Sequence, residues 1–302
     1  MKAIVISKYG GPEVLEYKDA PDPSPGPDEV LVQLAATSVN PFDFKRRSGA
    51  VKAFAPVSFP GILGIDVSGT VIALGPGVKG FSKGDCVFGM ADHAYAERVV
   101  AKAANLAKIP PGLDPVDAAA LPLVTTTGRQ LITDGVPVSQ KRTILVTGAL
   151  GGVGRSAIFT AKSLGATVIA GVRKTQVEQA AELGADSIVA IDDPSAISGL
   201  QPLDAVADTV NGVTAESLIA RVKPGGVFAS VVGPPKNSAK FPDVKVIPVV
   251  GHSDAQALLQ LAKAVVEGSL EIPIATKMPL KQAADAQALA EKGAGGKVLL
   301  LP

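Results

Sequence analysis

The run Thr143–Gly154, TILVTGALGGVG, constrains this chain more than any other stretch. Its apolar residues Ile144, Leu145 and Val146 read as a buried strand that enters a glycine cluster, Gly148, Gly151, Gly152 and Gly154, with Val153 inside it. Beyond the cluster Ala157, Ile158, Ala161 and Leu164 recur at helical spacing, and Gly165 is placed to stop the helix. Strand, glycine turn and helix in that order make a pyrophosphate cradle. Glycine lets the backbone bend and come close to a phosphate, and a helix N-terminus offers unpaired N–H groups with partial positive charge. The spacing is GxxGxxG rather than GxGxxG, so a tight turn without a ligand stands as the alternative.

The next segment, Ala166–Gly171, is a second strand at the distance expected for a βαβ unit. Gly171 at its end is counted with the cofactor-binding residues. An NAD site usually carries an acidic side chain about here to accept hydrogen bonds from the ribose diol. This chain has Val172-Arg173-Lys174 instead, and no Asp or Glu between Gly154 and Glu178. Two cations attract a 2′-phosphate, which predicts NADPH over NADH, with Arg173 the main contact and Lys174 secondary. The alternative is a pair of solvated loop cations.

At 302 residues and 47% hydrophobic content the chain is long enough for two domains with substantial cores. Lys plus Arg number 29 against 28 Asp plus Glu, with no run of one sign longer than the short Lys45-Arg46-Arg47, so neither a nucleic acid nor a membrane partner is expected. One cysteine rules out an intrachain disulfide and suggests a reducing compartment. The first residues read directly as a strand, without the apolar core of a signal peptide, and no stretch has membrane-spanning length. The expected location is the cytoplasm.

Texture divides the chain. Residues 1–121 are rich in Gly, Pro and short β-type runs such as Glu29–Leu34 and Gly69–Leu74, which predicts a β-rich, barrel-like domain. Over 122–268 strands near 143–147, 167–171, 187–191, 204–208, 226–232 and 244–250 alternate with helical patterns, which predicts a doubly wound parallel α/β sheet. Residues 269–302 add a helix around Lys281–Lys292 and a strand, Lys297–Leu301, expected to return and complete the first domain. Asp208-Thr209-Val210 and Val231-Val232-Gly233 end two strands of the parallel sheet, at the edge where ligands of open α/β sheets bind. Thr209 is therefore a cofactor candidate.

Several blocks in order, YGGPEVLEY (Tyr9–Tyr17), SVNPFDFKRRSG (Ser38–Gly49), PGILGIDVSGTV (Pro60–Val71), GDCVFG (Gly84–Gly89), AYAERVV (Ala94–Val100), AAALPLVTTTG (Ala118–Gly128) and the GALGGVG turn, resemble the medium-chain dehydrogenases/reductases. The chain looks most like their zinc-independent quinone oxidoreductase and alkenal reductase branch. The resemblance implies a GroES-like catalytic domain, a Rossmann domain and an active site in the cleft between them. It also implies hydride transfer from NADPH to a quinone or an α,β-unsaturated carbonyl. An enoyl-thioester reductase, or a cofactor-binding structural or regulatory protein with little catalysis, are the alternatives.

Zinc chemistry can be weighed on donor types. The segments that would supply catalytic zinc ligands hold Asn40, Ile65 and Leu123, and a structural zinc lobe needs several cysteines where Cys86 stands alone. No metal is expected.

By resemblance, Asn40 orients cofactor or substrate and Asp43 holds the local network, although Asn40-Pro41 also fits a turn and Asp43 a helix cap. Lys45 stands where some quinone reductases carry tyrosine; it could stabilise an anion or relay a proton, or be a solvated lysine in a short basic run. Thr127 matches a threonine that faces the nicotinamide in relatives, with an N-terminal helix cap as the alternative. Val232 and Gly233 would lie near the carboxamide, and Lys297 matches a Gly-Lys motif that closes on the cofactor cleft. Trp is absent, so Phe42, Phe44, Phe54 or Tyr95 would have to stack on a flat acceptor. His93 is expected to be solvated and Cys86 to be a buried small hydrophobe. Dimerisation through the strand at Val244–Val250 is expected by analogy.

Overall fold

The computed structural model describes residues 1–136 and 142–302. Its elements in chain order begin with β1 (Lys2–Ile6), β2 (Glu16–Asp19), β3 (Glu29–Ser38), α1 (Pro41–Ser48), β4 (Gly61–Ile62), β5 (Asp66–Leu74), β6 (Cys86–Met90), β7 (Arg98–Lys102), β8 (Leu106–Lys108) and α2 (Pro115–Ala118). There follow α3 (Pro122–Thr133), β9 (Thr143–Thr147), α4 (Gly152–Ser163), β10 (Thr167–Val172), α5 (Val177–Ala180), β11 (Ser187–Ala190), α6 (Pro194–Ser198), β12 (Leu203–Asp208), α7 (Gly212–Ile219), β13 (Val222–Ser230) and β14 (Lys245–Pro248). The last are α8 (Ala255–Val266), β15 (Ile274–Pro279), α9 (Ala283–Lys292) and β16 (Lys297–Leu301).

Two compact units result, one of Met1–Leu123, Ser253–Gly268 and Ile272–Pro302, the other of Val124–His252 and Ser269–Glu271. The first is built on alternation. Val30, Val32 and Leu34 of β3 and Val67 and Val71 of β5 point into one buried cluster with Val87 and Val99, as period-two strands with one covered face do. Strands β15-β16-β3-β5-β6-β8 form a sheet in that order with β7 also on β3, and β2-β1-β4 form a smaller one. The C-terminal β16 lies antiparallel to β3, with Leu299 opposite Ser38 and Leu300 opposite Thr37, so the tail does return to this unit. Helix α8, which the sequence reading left in segment 122–268, groups here instead, its apolar face of Ala257, Leu258 and Leu261 buried. Helical periodicity shows that a face must be covered, not which sheet covers it.

In the second unit the strands run β11-β10-β9-β12-β13-β14, all parallel. Counted within the unit the order is 3-2-1-4-5-6, the doubly wound arrangement. Strand β9 is central and alternates faces: Ile144 and Val146 join one core cluster with Ala157 and Ile158 of α4, while Leu145 joins another with Phe228 and Leu218. Helices on both faces explain its near-continuous apolar run. Strand β13 starts at Val222, earlier than the expected 226, but it pairs with β12 only at Val222 and again from Val227; a register shift opposite Leu203–Ala205 takes up the residues between, where Gly225 has φ +76°.

Candidate functional site

The turn from β9 to α4 builds the first group. Gly148 has φ +59°, a left-handed conformation that glycine adopts without strain. Gly154 has a different reason: a Cβ there would fall within 2.8 Å of Ala149 Cα and closer still to the Gly148 carbonyl, so the helix could not lie against the turn. A Cβ on Gly151 would meet only the Gly148 carbonyl, at 3.2 Å. The exposed space before Gly151 is thus not filled by the protein. Helix α4 has no side-chain cap, and the amides of Gly152, Val153 and Gly154 have no acceptor among the described residues. They are the orphan donors of a helix N-terminus, suited to an anion.

A recess of about 200 Å³ opens beside this turn, bounded by Gly148–Gly151, by Gly171, Val172 and Arg173 at the end of β10, and by Gln176, Ile191 and Val210. Its lining contains no acidic side chain. The Arg173 backbone N–H and its Nε both donate to Oε1 of Gln176 at 3.2 Å, so the guanidinium is held at the recess. Lys174 is drawn the other way: its N–H donates to Asp192 Oδ1 at 2.7 Å and its ammonium sits 3.8 Å from Asp193. Of the two cations, Arg173 is the one that lines the recess.

The carboxyl ends of β9, β12 and β13 are tied by Asp208, which is fully buried. It accepts from Thr147 Oγ1 at 2.9 Å, Ser230 Oγ at 2.8 Å and the Val210 amide at 3.2 Å. Thr209 is pinned to Thr147 through both its amide and its hydroxyl, each at 2.8 Å. Val232, expected to offer backbone groups to a carboxamide, already gives its N–H to Ser230 Oγ and takes Asn211 Nδ2 on its carbonyl. Gly233 beside it has φ +102°. Thr127 lies inside α3, five residues beyond Pro122 at its start, so it is not the helix cap of the alternative reading. It packs where a Cβ on Gly251 would strike its hydroxyl.

The second group belongs to the first unit. Asn40 precedes α1 and is its N-cap: its amide N–H donates to Asp43 Oδ2 at 2.9 Å, closing a capping box. Asp43 also accepts from the buried Tyr95 hydroxyl at 3.2 Å, while its Oδ1 is buried without a partner. Burial pushes the Asp43 carboxyl up to about 7, opposed chiefly by the Asn40 N–H. The Asn40 side chain is sandwiched, Nδ2 donating to Asp66 Oδ2 at 2.7 Å and Oδ1 accepting from Lys297 Nζ at 2.6 Å. Lys297, expected at the cofactor, is therefore found as a buried cation whose other donors go to the Val39 carbonyl at 3.2 Å and Asp66 at 3.4 Å. Burial lowers its pKa, and the charges of Asp66 and Asp43 oppose that.

Lys45 is half-buried on α1 and has no ion pair or hydrogen bond of its ammonium among the described residues. Tyr95, offered as a stacking ring, is instead wholly buried and polar-bonded, whereas Phe54 is 73% exposed. His93 is exposed as expected. Cys86 is exposed too, against expectation, because it opens β6 at an outward position opposite Thr70.

Sequence reading missed Asp66, Gln176 and Gln287, the last linking Arg47 Nη1 at 2.6 Å to the Tyr95 hydroxyl at 3.4 Å. Asp66 left a signal, a lone carboxylate opening the apolar strand Asp66–Leu74. The positions of Asn40, Ile65 and Leu123 offer one amide and two alkyl side chains, and no group of three His, Cys, Asp or Glu among the described residues is placed to hold a metal. This donor set does not fit zinc. Among the described residues no helix is long and apolar enough to cross a membrane.

Two family profiles match the chain, one described as alcohol dehydrogenase GroES-like domain over residues 26–111 and one as zinc-binding dehydrogenase over 183–300. A chloroplast envelope quinone oxidoreductase homolog of Arabidopsis thaliana is 32% identical over the whole of this chain and 98% of its own length. An NADPH-dependent alkenal/one oxidoreductase, chloroplastic, of the same plant is 29% identical over all of this chain and 80% of its own. The crystal structure of the Escherichia coli quinone oxidoreductase complexed with NADPH superimposes with a TM-score of 0.87 at 25% identity, covering both chains fully.

Proposed function

This chain belongs to the quinone oxidoreductase and alkenal reductase branch of the medium-chain dehydrogenases/reductases, and from that premise we propose that it uses NADPH to reduce quinones or α,β-unsaturated carbonyl compounds. The observation that carries the cofactor choice is the recess beside α4, with a glycine cradle on one side, Arg173 held by Gln176 on the other, and no carboxylate in its lining. The residues fit the coenzyme: Gly151 leaves room where a side chain would stand, and the first-turn amides of α4 await an anion.

Gly148, Gly151, Gly152, Val153 and Gly154 would receive the pyrophosphate, and Gly171 lets it lie close to β10. Arg173 meets the 2′-phosphate; Lys174, shared with Asp193, adds little. Thr209, Val232 and Gly233 border the same sheet edge and orient the rest of the dinucleotide. Bound there, the nicotinamide supplies a hydride from its C4. By resemblance to the family, Asn40, Asp43 and Thr127 orient the reacting groups, and Lys45 is read as a solvated lysine of the basic run on α1. With an enone, hydride adds to the β-carbon and solvent protonates the resulting enolate at its α-carbon. A homodimer through the edge strand β14, in the cytoplasm, completes the reading.

The test follows NADPH absorbance, with NADH in parallel, against 9,10-phenanthrenequinone, short alkenals and enoyl thioesters. Oxidation with the first two supports the proposal, turnover confined to thioesters replaces the substrate class, and tight binding without any oxidation refutes catalysis. A charge-assisted contact at a solvent-open site is worth about 1–2 kcal/mol, so Arg173→Ala is expected to raise the KM for NADPH about 5- to 30-fold and to leave that for NADH unchanged. An unaltered coenzyme preference refutes the role of Arg173.

A further inference from the structure

The positions that the zinc branch would use for metal ligands, Asn40, Ile65 and Leu123, are drawn together here by one carboxylate. Asp66 follows Ile65 at the head of β5 and is fully buried. It takes Asn40 Nδ2 at 2.7 Å, the backbone N–H of Leu123 at 2.8 Å, the Ser38 hydroxyl, and Lys297 Nζ at 3.4 Å. Three separate segments and the C-terminal strand therefore meet on a single side chain. Lys297 then reaches back to Asn40 Oδ1 at 2.6 Å.

We propose that the Asp66–Lys297 pair is the cross-link this chain has in place of a metal ion, and that Asp66 is a positioning residue fixing the Asn40 amide and the first turn of α3. A zinc ion would fix such segments through ligand bonds and add a Lewis acid. The ion pair fixes them through hydrogen bonds and adds no net charge. It also removes a freedom that packing alone would leave: a flipped Asn40 amide would set its oxygen against a carboxylate and its NH2 against an ammonium. Only one orientation satisfies both neighbours. Buried ion pairs are seldom the most stabilising choice, and their best-attested use is to fix one arrangement among several.

The functional part rests on the reading of Asn40 above; the structural part does not. Asp66→Asn is compared with wild type by turnover, by NADPH dissociation constant and by hydrogen exchange. The expected result is a kcat at least tenfold lower, NADPH affinity within twofold, and exchange at least tenfold faster in residues 38–43 and 122–125 while β6 and β8 keep their protection. Asn40→Ala should lower kcat to a similar degree, and the double variant should be little worse than the poorer single one, because both act through one amide. The proposal is overturned if Asp66→Asn keeps kcat and local protection within twofold, if protection falls throughout the first unit alike, or if the two effects multiply. Should the wild type oxidise no NADPH with any acceptor, the functional reading fails and the exchange pattern alone decides for or against Asp66. Should Asp66→Asn not fold, Ser38→Ala and Lys297→Gln, which each take away one donor to Asp66, are read by the same criteria.

Discussion

Replacing Asp43 by asparagine should change how the stability of this protein depends on pH. The Asp43 carboxyl is buried at the start of α1 with one oxygen bonded to Asn40 and Tyr95 and the other without a partner. Loss of hydration disfavours the charged form and raises its pKa from 3.8 to about 7. The folded state therefore holds a proton that the unfolded chain releases above pH 3.8. Between those two values unfolding sheds one proton, and the wild type loses about 1.4 kcal/mol of stability for each unit of rising pH. Three units give about 4 kcal/mol in all, present below the unfolded value and gone once pH passes 7. Asp43→Asn keeps the acceptor for the Asn40 N–H but cannot titrate. Its fixed cost, an amide without all its partners, is the same at every pH. Urea unfolding followed by circular dichroism at pH 5, 6, 7 and 8 isolates the effect, since groups not coupled to Asp43 cancel in the difference. The wild type should lose about 2 kcal/mol relative to the variant from pH 5 to 7 and less than about 0.5 kcal/mol more from 7 to 8. Curves that run parallel throughout would falsify the assignment of a neutral, buried Asp43.

Gly154→Ala sets a Cβ against the backbone of Gly148 and Ala149, which cannot yield as a side chain could; about 1–3 kcal/mol of stability should be lost, with NADPH affinity down at least tenfold by isothermal titration, and unchanged affinity argues against the cradle. Chelation with EDTA should leave activity intact, and elemental analysis of active enzyme should find no stoichiometric zinc; one zinc per chain would contradict the donor-set argument. Lys45→Met should retain kcat within about twofold, since its ammonium makes no contact that fixes it; a fall of tenfold or more would give Lys45 a direct part in the reaction.

The βαβ unit was legible because its signals are local. Ile144–Val146, the glycines and the helical spacing of Ala157, Ile158 and Ala161 lie within twenty residues, and each encodes its own conformation through backbone sterics and periodicity. The missing carboxylate after β10 was equally plain. The strand expected near 226–232 was legible in the same way, since regular pairing with β12 resumes at Val227; the isolated pairing of Val222 with Leu203 was not, because it depends on a distant strand.

Sequence alone thus determined the strand–turn–helix cradle, the alternation that makes a parallel sheet, and the residue types available to each site. Tertiary structure decided which of those residues are partners. Lys297 and Asn40 stand 257 positions apart, and no periodicity links them; they meet because β16 pairs beside β3 and brings the lysine over the end of that strand. A buried charge takes its meaning from what surrounds it, so a lysine that reads as a cofactor ligand becomes one half of an ion pair once Asp66 lies beside it. The same logic took Tyr95 from a stacking ring to a hydrogen-bond donor, because desolvating its hydroxyl demands an acceptor, and Asp43 is the one the fold supplies.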